Sequence, residues 1–215
     1  MSEIFEVDTP HGLGRWHITP AEDAAAWLLL GHGAGGGIDA PDLLALASRL
    51  PGEGITVARF EQPWRVAGKR VASPPPRLDE AWLAAHSGLI ETGRIVPGAG
   101  TFFGGRSAGA RVACRTSSGR ARGVVALAFP LHPPGKPAAS RAEELAQAGV
   151  STLVFQGDAD PFGSAADVRA AVPDALVVEM AGCRHDLRPA KSRGTQAEVN
   201  ARIVADSLAF IRRLG

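Results

Sequence analysis

The sequence predicts an α/β protein with a mostly parallel sheet. Short, nearly continuous apolar runs recur along the chain, as in strands that are covered on both faces. These runs are Ala26–Leu30, Ile55–Phe60, Gly100–Gly104, Val124–Phe129, Thr152–Phe155 and Leu176–Met180. Helical stretches lie between them, at Pro41–Leu50, Leu78–Glu91, Ala108–Ser117, Arg141–Ala148, Ala165–Ala171 and Thr195–Leu214. We therefore expect about eight strands with helices on both faces, in a single domain over residues 1–215.

The first two strands are predicted to form an antiparallel hairpin. Ile4–Val7 and Leu13–Ile18 flank the segment Thr9-Pro10-His11-Gly12, which has Pro and Gly where a turn favours them.

Composition narrows the classes of partner and compartment. The 215 residues are 45% hydrophobic and 21% charged, and 23 basic residues against 22 acidic ones give a net charge of +1. Such a balance does not favour nucleic acid or an anionic membrane, so we expect neither as a partner. Two cysteines are too few for a disulfide framework, and the polar first ten residues do not resemble a secretory signal. A cytoplasmic location with free thiols is expected.

The segment Gly105-Arg106-Ser107-Ala108-Gly109 matches the pattern G-x-S-x-G between a predicted strand and a predicted helix. A serine on such a tight turn takes a strained backbone, its neighbours must lack bulk, and its hydroxyl projects above the sheet. Ser107 is therefore the predicted nucleophile on a nucleophile elbow.

Two later strand ends supply a base and an acid. A histidine, His185, follows the last predicted strand, and its imidazole suits proton transfer near neutral pH. Asp160 follows the preceding strand in the pattern Gly157-x-x-Asp160, where it would orient the imidazole. Asp158, two residues earlier, is the alternative acid. The order serine, aspartate, histidine predicts a catalytic triad.

A glycine-rich loop follows the strand at Ala26–Leu30. Its sequence, His32-Gly33-Ala34-Gly35-Gly36, brings backbone N–H groups close to a reacting carbonyl because little side-chain bulk intervenes. Ala34 and Ala108 are the predicted N–H donors of an oxyanion hole, with Gly35 as an alternative to Ala34. His32 is expected to fix the loop by hydrogen bonding.

The same loop also satisfies a dinucleotide-binding pattern, since Gly31, Gly33 and Gly36 match G-x-G-x-x-G. In a dinucleotide site the helix opens within the glycine motif. Here Pro41 predicts a later helix start, and Glu61 lies further along than the usual acidic residue. This interpretation is therefore disfavoured, and no cofactor or metal is expected.

With these motifs in place, the chain resembles the α/β-hydrolase superfamily over nearly its full length. It looks most like the compact branch of dienelactone-hydrolase-like and testis-expressed hydrolase-like proteins. The resemblance is carried by His32-Gly33-Ala34-Gly35, Arg59–Trp64 with Gly68-Lys69-Arg70, Gly105–Gly109, Gly157–Gly163 and His185-Asp186-Leu187. True dienelactone hydrolases carry cysteine as the nucleophile, whereas this chain has Ser107.

The resemblance implies a serine hydrolase that cleaves an ester, thioester or amide of a small or extended acyl substrate. Only Pro130–Ser140 stands where larger relatives insert a lid, so the site should be open. Gly35, Trp64 and Arg106 are expected to contact the substrate. Some members of the branch are known as scaffolding subunits, so a non-catalytic interaction module is the alternative. The oligomeric state is not predicted.

Overall fold

The structure is a computed structural model that describes residues 2–96 and 98–215. Within them, eight strands form one sheet in the order β1-β2-β4-β3-β5-β6-β7-β8. The strands are β1 (Glu3–Thr9), β2 (Gly12–Thr19), β3 (Ala26–Gly31), β4 (Ile55–Glu61), β5 (Gly100–Arg106), β6 (Gly123–Leu127), β7 (Ser151–Gly157) and β8 (Leu176–Met180). The helices are α1 (Pro41–Arg49), α2 (Pro63–Val66), α3 (Pro75–Glu91), α4 (Ala108–Thr116), α5 (Ala142–Ala146), α6 (Ala165–Ala171) and α7 (Gln196–Leu214).

The sheet is mostly parallel, as predicted. β1 and β2 pair antiparallel, and β2 pairs antiparallel with β4. All the pairings from β4 through β3 and β5 to β8 are parallel. The predicted N-terminal hairpin and the predicted fold class are therefore both confirmed.

Helices cover both faces of the sheet. Successive side chains of a strand point to opposite faces, and in these strands both sets are apolar. On β3, Trp27 and Leu29 pack into one apolar layer, which includes residues of α3 and α4. Leu28 and Leu30 point to the other face and pack with residues of α1 and α7. The continuous apolar runs of the sequence therefore correspond to strands buried from both sides.

Two elements differ from expectation. The short helix α2 was not predicted, because four residues after a strand carry no periodic signal. α3 begins at Pro75 rather than Leu78. Proline is accepted in the first turn of a helix, because the N–H groups there have no partner within the helix and the N–H that proline lacks is not needed.

The carboxyl ends of the parallel strands meet at one edge of the sheet. The glycine-rich loop follows β3, Ser107 follows β5, Asp160 follows β7 and His185 follows β8. Sites in open α/β sheets form at this edge, and the fold therefore gathers the predicted groups there. No helix among the described residues has both the length and the apolarity needed to cross a membrane.

Candidate active site

Ser107 occupies a strained turn between β5 and α4. Its backbone has φ 51° and ψ −109°, a region that non-glycine residues rarely adopt. The Ser107 N–H donates to the carbonyl oxygen of Leu127 at 2.9 Å, and the Ser107 carbonyl accepts from Arg111 in the first turn of α4. Bonds to β6 and to α4 thus hold the turn in place, and the hydroxyl projects from its apex.

Glycines allow this turn to pack against the end of β3. A Cβ on Gly109 would lie 2.2 Å from the carbonyl oxygen of Gly31, and one on Gly105 would lie 2.5 Å from the same atom. Gly105 also has φ +155°. The two flanking glycines of the sequence motif therefore answer a steric requirement, since any larger residue would push α4 away from β3.

Ser107, His185 and Asp160 form a hydrogen-bonded chain. Ser107 Oγ lies 2.9 Å from His185 Nε2, and His185 Nδ1 lies 2.9 Å from Asp160 Oδ2. Because the carboxylate can only accept, Nδ1 donates to it and Nε2 is left to accept the serine proton. Residues that are 78 and 25 positions apart in sequence are thus brought into line.

Asp160 is held from two sides by donors. Its Oδ1 accepts from the Phe162 N–H at 2.8 Å, and its Oδ2 accepts from Gln156 Nε2 at 3.0 Å. The Gln156 amide also donates to the carbonyl oxygens of Phe129 and Gly163. Gln156 was not singled out in the sequence, although a polar residue inside an apolar strand signals a buried hydrogen-bonding role.

The alternative acid, Asp158, points elsewhere. Its Oδ1 accepts from the Gly182 N–H at 2.8 Å, and its side chain is exposed. Asp158 therefore supports the start of the histidine loop, and the carboxylate that His185 contacts is Asp160.

The imidazole of His185 is also fixed by packing. The Phe162 ring stacks on it with 4.0 Å between centroids and 29° between planes. Leu187, two residues on, has φ 50°, and its N–H closes a turn onto the Arg184 carbonyl. This stacking is not predictable from a local sequence pattern, because the contact joins two loops.

Arg106 lies beneath the histidine loop in an ion pair. One guanidinium nitrogen lies 2.5 Å from Asp42 Oδ2, and another donates to the His185 carbonyl oxygen at 3.0 Å. Asp42 is fully buried in the first turn of α1. Burial raises the pKa of Asp42, and the neighbouring Arg106 acts in the opposite direction. Substrate contact by Arg106 stays a prediction; the bonds it makes here are internal.

The two predicted oxyanion donors flank the serine. Ala108 is the first residue of α4, so its N–H has no partner within the helix. Ala34 is exposed in the loop after β3. That loop runs close to the nucleophile, since a Cβ on Gly33 would lie 3.6 Å from Ser107 Cβ.

His32 anchors this loop. Its Nε2 accepts from the Gln62 N–H at 3.2 Å, and Nδ1 lies 2.9 Å from the Gly33 carbonyl oxygen, to which it donates. Burial lowers the pKa of His32, which favours the neutral ring that this bonding pattern requires.

An open cleft of about 710 Å³ lies above Ser107. Its walls are the glycine-rich loop, the start of α1 and the histidine loop. The lining residues are Gly33, Ala34, Gly35, Gly36, Gly37, Ala40, Pro41, Arg106, Ser107, Pro161, Arg184, His185, Asp186 and Arg188. Gly35 and Arg106 thus border the cleft, and their contact with substrate stays a prediction.

Trp64 does not reach this cleft. It is 4% exposed, packs against the His32 ring at 5.5 Å between centroids, and lines a small pocket that Ala34 and Ala108 also line. α2 thus turns the indole away from the open cleft, and substrate contact by Trp64 stays a prediction.

The structure does not place a helix where a dinucleotide site needs one. After Gly36 the chain makes turns, and α1 begins only at Pro41. Across the described ranges, His, Cys, Asp and Glu side chains form no group of three that could hold a metal ion.

This fold and this site define the class of α/β hydrolases. A family model described as an alpha/beta hydrolase domain matches residues 24–212 of the chain. The chain belongs to this family, and the resemblance noted in the sequence is confirmed. The protein is thus a hydrolase enzyme by class.

Solved structures share the fold at low sequence identity. An α/β serine hydrolase homologue from Coxiella burnetii has a TM-score of 0.75 at 18% identity, with 95% of this chain and 96% of that chain covered. A serine hydrolase without a lid from Xanthomonas campestris has a TM-score of 0.70 at 20% identity, covering 97% and 94%. Est1E from Butyrivibrio proteoclasticus has a TM-score of 0.74 at 11% identity, covering 97% and 99%.

Proposed function

We propose that this protein is a serine esterase that hydrolyses a small-molecule acyl substrate, an ester or the related thioester or amide, through an acyl-enzyme on Ser107. The observation that carries the proposal is the pair of 2.9 Å hydrogen bonds linking Ser107 Oγ, His185 and Asp160. Three side chains from separate strand ends align in the order that serine nucleophiles need.

The roles follow from where the proton goes. His185 Nε2 accepts the hydroxyl proton as Ser107 Oγ attacks the acyl carbon, and it returns that proton to the leaving group. Asp160 keeps Nδ1 protonated and stabilises the imidazolium that forms between these steps. Water then attacks the acyl carbon as it gives a proton to His185 Nε2. The bond from the acyl carbon to Ser107 Oγ breaks, His185 returns the proton to Oγ, and the acid leaves.

The developing oxyanion needs donors that are already in place. The N–H of Ala108 lies at the amino end of α4, where the helix dipole favours negative charge. The N–H of Ala34 is the second proposed donor, contributed by the loop that His32 anchors. Since the cleft above Ser107 is open, small or extended acyl groups suit it best.

A fluorophosphonate probe tests this proposal. We expect the probe to label the folded protein at Ser107 and to abolish hydrolysis of p-nitrophenyl esters. Ser107→Ala should remove labelling and lower kcat roughly 10⁴-fold or more, because the covalent step is lost. Ser118→Ala, an exposed serine after α4, is the matched control and should change neither.

Two results would contradict this assignment of Ser107. A folded protein that the probe does not label and that hydrolyses no ester would contradict the proposal and favour a non-catalytic interaction module. Labelling that persists in Ser107→Ala would mean that another side chain is the nucleophile.

A further inference from the structure

The cleft above Ser107 carries an excess of positive charge. Three arginines line it, namely Arg106, Arg184 and Arg188, against one lining carboxylate, Asp186. The charge of Arg106 is compensated by the buried Asp42 beneath it. The other two arginines lie on the histidine loop, on either side of His185.

Arg184 is the uncompensated cation of the cleft. Its side chain is exposed, and it forms no ion pair with any carboxylate in residues 2–96 and 98–215. Arg49 and Arg77 are likewise exposed and, among the described residues, have no ion pair, but neither of them lines this cleft. Arg184 is distinguished by its place, since it lines the same cleft as Ser107.

Asp186 offsets the charge of Arg188 but not that of Arg184. Its Oδ1 accepts from the Arg188 N–H at 3.1 Å, and its Oδ2 lies 3.9 Å from Arg188 Nε. The Arg188 side chain is 67% exposed, so this loose contact leaves its remaining N–H groups available. Asp186 and Arg188 roughly cancel, and Arg184 remains.

Arg65 is a further cation close to the cleft. Its Nε would lie 3.7 Å from a Cβ on Gly37, a residue that lines the cleft. The Arg65 side chain is exposed and, among the described residues, pairs with no carboxylate. One unpaired guanidinium, that of Arg184, therefore lines the cleft, and that of Arg65 lies next to Gly37 at its glycine-rich wall.

We infer that the preferred substrate carries an anionic group, a carboxylate or a phosphate, on the ester, and that Arg184 is its principal contact, with Arg188 and Arg65 in support. This inference rests on the proposed function, since it describes the substrate of the same site. Guanidinium groups recognise carboxylate and phosphate through paired N–H donors, and a cationic cleft raises the local concentration of anionic ligands.

The test compares esters that differ in charge and in its position. p-Nitrophenyl hemiglutarate carries its carboxylate on the acyl part, and an acetoxy-nitrobenzoate carries it on the leaving group. p-Nitrophenyl valerate and p-nitrophenyl acetate are the neutral counterparts. At low salt we expect kcat/KM for one of the anionic esters to be about tenfold higher than for its neutral counterpart. The ratio of the two values should fall toward one as added salt screens the charges.

Arginine variants assign the preference. Arg184→Gln should lower the ratio of anionic to neutral kcat/KM by about tenfold, and Arg184→Glu should invert it. Arg188→Gln and Arg65→Gln should have smaller effects. Arg120→Gln makes the same change of charge at the opposite edge of the sheet, before β6, and should leave the ratio unchanged.

Hydrolysis that depends on Ser107 but shows no preference for either anionic ester would overturn the inference while leaving the proposed function intact. A preference that survives Arg184→Gln would do the same. If no ester is hydrolysed, the proposed function has failed. Calorimetry then measures directly whether p-nitrophenyl hemiglutarate binds to the Ser107→Ala variant. Absence of binding overturns the inference. A Kd that is unchanged when Arg184→Gln is added to Ser107→Ala also overturns it.

Discussion

Arg106 donates a hydrogen bond to the main-chain carbonyl oxygen of His185 at 3.0 Å. Because Arg106 immediately precedes Ser107, one side chain joins the turn of Ser107 to the loop of His185. The same guanidinium is held by Asp42 at the start of α1. The spacing between Ser107 and His185 therefore depends on a charge pair that no reacting atom needs to touch.

Arg106→Met should lower kcat for neutral esters about 10- to 100-fold, because a shift of the histidine by a fraction of an ångström disrupts proton transfer. The KM for a neutral ester should change little. Steady-state kinetics over a range of pH is the measurement, and the fluorophosphonate labelling rate should fall in parallel. Arg106→Lys keeps a charge beside Asp42 but loses the planar fork, so partial activity is expected.

A rise in KM for anionic esters with an unchanged kcat would contradict the positioning role and would instead identify Arg106 as a substrate contact. Asp42→Asn separates the two possibilities further. It leaves Arg106 without its buried counter-ion, so stability should fall by about 2–4 kcal/mol in urea unfolding.

The two carboxylates after β7 provide a matched pair of variants. Asp160→Asn should lower kcat about 10²- to 10⁴-fold, since an amide cannot hold the imidazole in the tautomer that Ser107 needs. Asp158→Asn should lower it less than about threefold, since its contact is with the Gly182 N–H rather than the imidazole. The measurement is kcat for ester hydrolysis by the two purified variants. An equal decrease of kcat in both variants would show that Asp160 is not the acid.

The features that were predicted correctly have local signals in the sequence. Nearly continuous apolar runs separated by helical stretches predicted the sheet, and the glycines beside Ser107 predicted a strained turn, because strand burial and turn sterics act on neighbouring residues. The contacts that it missed join distant segments. Arg106 and Asp42 are 64 positions apart, and the Phe162 ring meets His185 only where two loops cross.

The position of Trp64 also depends on local structure that the sequence does not reveal. Trp64 follows a strand end, but the direction of the chain there depends on the short helix α2. That helix buries the indole against His32. Gln156 is a different case: it was not singled out, although a glutamine directly after an apolar run is a signal that could have indicated a buried donor in need of acceptors.

His86 on α3 predicts a pH dependence of stability. Burial lowers the pKa of His86 to about 4 from its ordinary 6.5, and Arg120 adds to the effect. The unfolded chain then binds a proton that the folded chain does not bind between these values. Stability should therefore decrease as pH falls from about 6.5 toward 4, by up to about 3 kcal/mol from this residue.

His86→Phe should keep the edge-on contact with Phe103 while removing the titration. Urea unfolding at neutral pH and at pH near 4.5 is the measurement. The variant should lose less stability between the two conditions than the unmodified protein, and an identical loss in both would show that His86 is protonated equally in the folded and unfolded chains.

Cys183 lies two residues before His185, so a thiol-based reaction has to be distinguished from the serine one. Burial raises the pKa of Cys183 to about 11, and Asp158 and Asp186 add to the rise. Burial likewise raises the pKa of Cys114 to about 12. At neutral pH the thiolate fraction is then on the order of one in ten thousand for Cys183 and about tenfold lower for Cys114, so neither sulfur is a competent nucleophile.

Native protein should therefore keep its esterase activity after an hour with iodoacetamide, and Ellman's reagent should detect two thiols only after denaturation. Cys183→Ala is the direct variant. It leaves a small gap beneath the histidine loop and should destabilise the fold by about 1 kcal/mol, with kcat retained within a few fold. Inactivation by iodoacetamide in the native state would contradict this prediction and would place a reactive thiol at the site. If that thiol were the nucleophile, the Ser107→Ala variant would still hydrolyse esters.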